Sequence, residues 1–147
     1  MVKGGEKAVL GGTYFHTVDD KGRVIMPVKF KRELGTEFVI TAGFDKSLMV
    51  MSFDNWNKFL ARFENAPPSK VRWIKRYFLS HMSEVSTDKQ GRMQLPQLLR
   101  QKIEIEDEAV LVGNGDMVEI WTPQEWEASQ KMFDSDNIIS SMDELII

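Results

Sequence analysis

An α+β fold made of two copies of one strand-turn-strand unit is the architecture the sequence predicts, and three observations carry it. Asp19-Asp20-Lys21-Gly22-Arg23-Val24-Ile25-Met26-Pro27 returns 69 residues later as Asp88-Lys89-Gln90-Gly91-Arg92-Met93-Gln94-Leu95-Pro96. The similarity continues downstream: Glu37-Phe38-Val39-Ile40-Thr41 parallels Glu108-Ala109-Val110-Leu111-Val112, and Leu48 to Trp56 parallels Val118 to Trp126. Short runs rich in Val, Thr and aromatics alternate with turn residues and with stretches whose apolar residues recur at helical spacing.

The elements follow in order within each copy. An extended segment opens it, Thr13 to Val18 in the first and Glu84 to Thr87 in the second. A tight turn comes next, in which the aspartate bonds the backbone ahead of it and Gly22 or Gly91 takes the positive φ that side chains resist. A short apolar strand follows the arginine and ends at Pro27 or Pro96. Proline's fixed φ and missing N–H suit the start of a helix, so Val28 to Leu34 and Gln97 to Ile103 are predicted helices. Gly35 stops the first, and Phe30 with Leu34, or Leu99 with Ile103, forms the buried face. A second strand pair leads to an amphipathic helix around Trp56 or Trp126, its start marked most clearly by the capping box Thr122-Pro123-Gln124-Glu125.

Asn65-Ala66-Pro67-Pro68 is a stiff break between the copies. It precedes a basic helix from Ser69 to His81 with Val71, Ile74, Phe78 and Leu79 as its apolar face and Lys70, Arg72, Lys75 and Arg76 on the other. The expected organisation is an N-terminal extension over residues 1–10, a first repeat over 11–66, a basic linker helix over 67–82, a second repeat over 83–133 and an acidic tail over 134–147. The tail reads equally as a short helix or a frayed end. Methionines and the tryptophans Trp56, Trp73, Trp121 and Trp126 are read as core filling and helix anchors.

Composition narrows the function. The 147 residues contain no cysteine, which excludes disulfides, thiolate zinc sites and a Cys nucleophile. Neither a secretion signal nor a membrane-spanning stretch is evident, so the expected location is cytoplasmic. The two histidines, His16 and His81, have no partner at ligand or catalytic spacing; no catalytic residue, metal site or cofactor is assigned and the chain is not read as an enzyme. Formal net charge is −3, but residues 1–102 hold 18 Lys and Arg against 10 acids, while residues 103–147 hold one Lys against 12 acids. A phosphate-facing surface on the basic body fits this asymmetry, because binding responds to local potential within about a Debye length.

The doubled turn is the candidate site. Asp and Arg four residues apart across a glycine form a cross-turn ion pair, and an exposed pair contributes little stability. Arginine on a rigid turn is better suited to phosphates or guanine edges through its planar fork. The DNA-contacting candidates are therefore Arg23 with Lys21, Lys29 and Arg32, and Arg92 with Lys89. Asp19, Gly22, Asp88 and Gly91 shape the turns. The first turn is preferred because Lys21, Lys29, Lys31 and Arg32 surround it in sequence. An isolated hairpin is marginal in water, so the two units are expected to interlock with each other or with a second subunit.

Two Asp-x-x-x-Arg motifs, Asp19 with Arg23 and Asp88 with Arg92, make the chain resemble the MraZ family over residues 11 to 130. Gly12-Thr13-Tyr14, His16-Thr17, Lys21-Gly22, Arg32-Glu33-Leu34 and the segment from His81 through Glu84 to Asp88 support the match. The resemblance implies two swapped-hairpin, AbrB-like β-barrel units with flanking short helices. It also implies a nucleoid-associated transcriptional regulator that binds short promoter repeats in double-stranded DNA and controls its own division and cell-wall gene cluster, assembled as a ring-like homo-oligomer. Residues 1–10 precede the usual start of the family, and Gln94 stands where the first copy has Ile25. The rival reading is an oligomerisation or protein-interaction scaffold of the same fold, with a protein partner for the acidic tail. RNA binding ranks below both, since the aromatics fall at core-like positions.

Overall fold

The structure is a computed structural model that describes residues 9–145. Most of the N-terminal extension, residues 1–8, and the last two residues of the tail lie outside the described residues. In the first copy, β1 (Thr13–Thr17) leads through the turn to β2 (Arg23–Ile25), then α1 (Val28–Leu34), β3 (Glu37–Ala42), β4 (Ser47–Ser52) and α2 (Phe53–Ala61). The connecting helix α3 (Pro68–Ser80) is followed by β5 (Ser83–Ser86), β6 (Arg92–Gln94), α4 (Gln97–Ile103), β7 (Glu108–Gly113), β8 (Val118–Trp121) and α5 (Pro123–Ser129). A short 3-10 turn joins α5 to α6 (Ser135–Glu144). Among the described residues no helix is long and apolar enough to cross a membrane.

The local signals act as the sequence predicts. Pro27 and Pro96 stand at the N-caps of α1 and α4, and Gly35 closes α1 at φ +89° with its N–H on the Lys31 carbonyl. The second copy has no glycine there; Glu104 takes the left-handed conformation instead, at φ +57°. The Thr122 hydroxyl accepts the Glu125 N–H at 3.2 Å with Pro123 in the first turn of α5. The Asp134 carboxylate caps α6 by accepting the Asn137 N–H at 3.0 Å, which makes the acidic tail a helix rather than a frayed end.

The two copies are interleaved. β1 pairs with β7, β3 with β5, β4 with β8 and β2 with β6, all antiparallel, so every strand of the first copy has a partner in the second. β1, β2, β3 and β4 correspond to β5, β6, β7 and β8, and exchanging the copies leaves this pairing scheme unchanged. The result is a six-stranded antiparallel sheet in the order β1-β7-β8-β4-β3-β5 and a separate two-stranded ribbon, β2-β6.

The expected closed barrels are not formed. The ribbon meets the edges of the sheet through single bridges only, Val18 to Val24 beside β1 and Thr87 to Met93 beside β5. The tight turns sit at these junctions, where Asp19 and Asp88 close the backbone on Arg23 and Arg92 and leave no room for a continuous ladder.

Period-two alternation divides the sheet between two covered faces. Phe38, Ile40, Leu48, Val50, Leu111 and Ile120 point to the side occupied by the ribbon, α1 and α4, where Val24, Met26, Phe30, Met93, Leu95 and Leu99 complete one core shared by both copies. Val39, Met49 and Met51 point to the other side and pack with Trp56, Phe59 and Phe78 of α2 and α3. Val110 and Trp121 meet Trp126 of α5 on that face. Two expectations for α3 fail: it buries Val71 and Phe78, but leaves Ile74 and Leu79 exposed. Trp73 anchors nothing in the core; it is 65% exposed, with the Arg76 guanidinium 4.5 Å from its ring centre.

Candidate nucleic-acid interface

The ribbon is the structural centre of the doubled motif. In β2-β6, Arg23 lies opposite Gln94, Val24 opposite Met93 and Ile25 opposite Arg92. Successive side chains alternate in direction, and only Val24 and Met93 are buried. Arg23, Ile25, Arg92 and Gln94 therefore share the outward face. The two arginines stand diagonally across it, a relation that separates backbones by roughly 7–8 Å.

Each arginine is held by its own turn. Asp19 Oδ1 accepts the N–H groups of Lys21 at 3.0 Å and Arg23 at 2.8 Å, while Arg23 Nε donates to Asp19 Oδ2 at 2.8 Å. The second turn repeats this geometry: Asp88 Oδ1 accepts from Gln90 and Arg92, each at 2.9 Å, and Arg92 Nε donates to Oδ2 at 2.8 Å. Gly22 and Gly91 sit at φ +78° and +79°. The backbone N–H of Arg23 does most to hold the Asp19 carboxyl below its ordinary range, helped by the Arg23 side chain and the Lys21 N–H and opposed by partial burial. Arg92 and Gln90 act in the same way on Asp88. In both arginines Nε is occupied by the turn's aspartate, which leaves the terminal Nη groups as the donors not used by that carboxylate.

The turns are not equivalent. Gln90 Oε1 accepts a hydrogen bond from Arg92 Nη2 at 3.3 Å. Lys21 occupies the corresponding position of the first turn, and Arg23 Nη atoms have no hydrogen-bond partner among the described residues. Gln94 Nε2 reaches across the ribbon to donate to the Lys21 carbonyl at 2.7 Å, which gives the Ile25-to-Gln94 difference between the copies a structural role. Arg100 of α4 lies directly against Gly22, with its Nε donating to the Leu95 carbonyl at 3.1 Å, whereas nothing lies within 4 Å of a side chain placed at Gly91.

Lys21 and Lys89 are exposed on the turns themselves. Lys29 and Arg32 are exposed on α1, and among the described residues no hydrogen bond or ion pair joins them to either turn. The cation packed on the first turn is thus Arg100 from the other copy, a residue that sequence reasoning did not place at the site. Its signal was the basic α4 helix, but only the cross-copy pairing of β2 and β6 brings that helix to the first turn.

These features define a class: a two-repeat α+β protein whose paired Asp-x-x-Gly-Arg turns flank one solvent-facing ribbon. The family model for "MraZ protein" matches residues 9–72 and again residues 78–146. "Transcriptional regulator MraZ" of Caldanaerobacter subterraneus subsp. tengcongensis is 41% identical over 128 residues, covering 86% of this chain and 90% of that protein. The protein of the same name from Thermoanaerobacter pseudethanolicus is 40% identical over 143 residues, 95% of this chain and 100% of its own. The chain belongs to the MraZ family.

Proposed function

We propose that the protein is a sequence-specific regulator of transcription that binds short promoter repeats in double-stranded DNA, including those of its own gene cluster, as a multivalent, ring-like homo-oligomer. The exposed β2-β6 ribbon with its two turn-held arginines carries this reading. A two-stranded ribbon fits the major groove, which is about 12 Å wide, and arginine matches guanine O6 and N7 with its two donors. Fixing Nε in the turn lowers the entropy lost on binding, and Arg23 with free Nη groups is the leading base or phosphate contact. Lys21, Lys89 and Arg92 supply further phosphate contacts from the ribbon ends, with Lys29 and Arg32 on α1 as outer ones. The relatives' name, transcriptional regulator, supports the same conclusion.

The exchange of strands between the copies supports a swapped-hairpin origin for the fold. One ribbon per subunit gives few contacts, so several subunits acting on spaced repeats supply the affinity by raising effective concentration. No step of this function requires bond-making chemistry, and its setting is the cytoplasm, at the nucleoid.

Duplex binding to DNA upstream of the protein's own gene tests the proposal, with shuffled DNA as the control and two salt concentrations. Preference for the native sequence, weakening with salt, and loss on Arg23→Ala at unchanged oligomeric size are expected. Equal binding to shuffled DNA by the wild type would reject it in favour of the scaffold reading.

A further inference from the structure

The outward face of the β2-β6 ribbon carries two side chains besides its arginines, and they differ between the copies. Ile25 lies opposite Arg92 and Gln94 opposite Arg23, at positions that the pseudo-twofold relates. Ile25 is 37% exposed, an apolar side chain turned to solvent while its neighbour Val24 is buried. Gln94 is exposed as well, yet its amide is oriented. Nε2 donates to the Lys21 carbonyl at 2.7 Å and to the Leu95 carbonyl at 3.4 Å. Both partners are acceptors, so the nitrogen must face them and the amide has one orientation. Its two N–H donors are thereby used, and Oε1, which has no hydrogen-bond partner among the described residues, is the group left for a ligand.

We propose that Ile25 and Gln94 are specificity-determining residues: Ile25 packs against the C5-methyl group of a thymine, and Gln94 Oε1 accepts a hydrogen bond from a base amino group, that of cytosine or adenine. The proposal rests on the reading of the ribbon as the surface that enters the major groove. In that groove a methyl group marks thymine, an amino donor marks cytosine or adenine, and guanine offers acceptors only. A glutamine with its whole amide free reads adenine through a donor and an acceptor together. Gln94 has spent its donors inside the protein, so it retains the acceptor half and selects an amino group. Arg23 and Arg92 provide the complementary donors for guanine. Donors, one acceptor and one apolar contact thus stand within a single antiparallel strand pair, where opposite Cβ atoms are roughly 4.5–5.5 Å apart. The arginines repeat across the pseudo-twofold, whereas Ile25 and Gln94 do not, and this difference gives the ribbon a direction on the duplex.

Binding of the full chain to the duplex it prefers upstream of its own gene, with modified bases introduced one position at a time, tests the proposal. Uracil in place of thymine deletes the methyl group. Methylation of the amino nitrogen of cytosine or of adenine blocks the major-groove donor and keeps the base pair, and the two modifications decide which base supplies the amino group. For wild type, one uracil position is expected to weaken binding about fourfold, the worth of one buried methyl group. One methylated amino position is expected to weaken it roughly two- to tenfold, the worth of one hydrogen bond. Ile25→Ala is expected to lose the response to uracil and keep the response to the methylated base, and Gln94→Ala the reverse, both at unchanged size and melting temperature. A purely structural Gln94 would lower affinity for modified and unmodified duplexes alike. Variants that respond to every modification as wild type does overturn the assignment, and preference for native over shuffled DNA then leaves the DNA-binding reading standing. Equal binding of wild type to native and shuffled DNA overturns both.

Discussion

Gly22 and Gly91 have almost the same backbone and different surroundings. Both occupy positive φ, so alanine at either costs roughly 1–2 kcal/mol in backbone strain. At Gly22 the new methyl would also run into the Arg100 guanidinium, while at Gly91 it meets open space. Gly22→Ala is therefore expected to lower the denaturant midpoint more than Gly91→Ala. Arg100→Ala placed in the Gly22→Ala background should recover the difference, and a double-mutant cycle measures it. Absence of coupling would mean that Arg100 does not rest on the first turn. The aspartates allow a second test. Their carboxyls are held below the ordinary value of 3.8, chiefly by the N–H groups of Arg23 and Arg92. A carboxylate with a lowered folded pKa stabilises the protein above its unfolded pKa, and this contribution is lost as pH falls through 3.8 towards the folded value. The Tm gap between wild type and the double variant Asp19→Asn, Asp88→Asn should be widest near neutral pH and narrow in acid. A gap independent of pH would assign the aspartates' effect to shape alone.

At the scale of single elements, α5 shows how closely local sequence fixes structure. It is seven residues long and too short to persist alone, so its cap and its Trp126 contact decide whether it forms. Thr122→Ala removes the side-chain acceptor for Glu125 N–H and is expected to cost about 0.5–2 kcal/mol, with Trp126 fluorescence reporting the loosened packing against Trp121 and Phe133. Signals of this kind were legible: the prolines before α1 and α4, Gly35, the Thr122 box and both Asp-Gly-Arg turns lie within a few residues of the backbone they shape. What stayed hidden is what depends on pairing between distant segments. Nothing in Arg23 to Ile25 announces that its partner is Arg92 to Gln94 rather than the strand just before it. Arg100 at the first turn, the open sheet in place of barrels and the outward Ile74 all follow from such pairings. On α3, period alone gave four apolar positions, and only the placement of α2 and the sheet decides that Val71 and Phe78 are the buried pair.

For the molecule as a whole, the interleaved topology has a direct consequence for folding. A chain of two tandem domains would cut into two folded halves at the Pro67-Pro68 break. Here the cut would leave the first half with only the β3-β4 pair, because β1, β2 and the second edge of β3 are paired to strands of the other copy. The shared core would be divided as well: Phe30 and Val24 pack with Met93, Leu95 and Leu99 across the pseudo-twofold. A two-stranded hairpin is marginal in water, and although α2 still covers one face of β3-β4 through Trp56 and Phe59, its other face would lose Met93, Leu95 and Leu99 of the shared core. Residues 9–66 and 67–145 made separately are therefore expected to show little fixed strand structure by circular dichroism and no cooperative melt. Mixed, they are expected to regain the wild-type spectrum and a single transition, as the cross-copy ladders form between chains. A cooperative melt of either half alone would show that the units fold before they interlock. The same dependence links fold to function: the ribbon that carries Arg23 and Arg92 pairs a strand of one copy with a strand of the other, so the proposed DNA-facing surface exists only while the two halves are together.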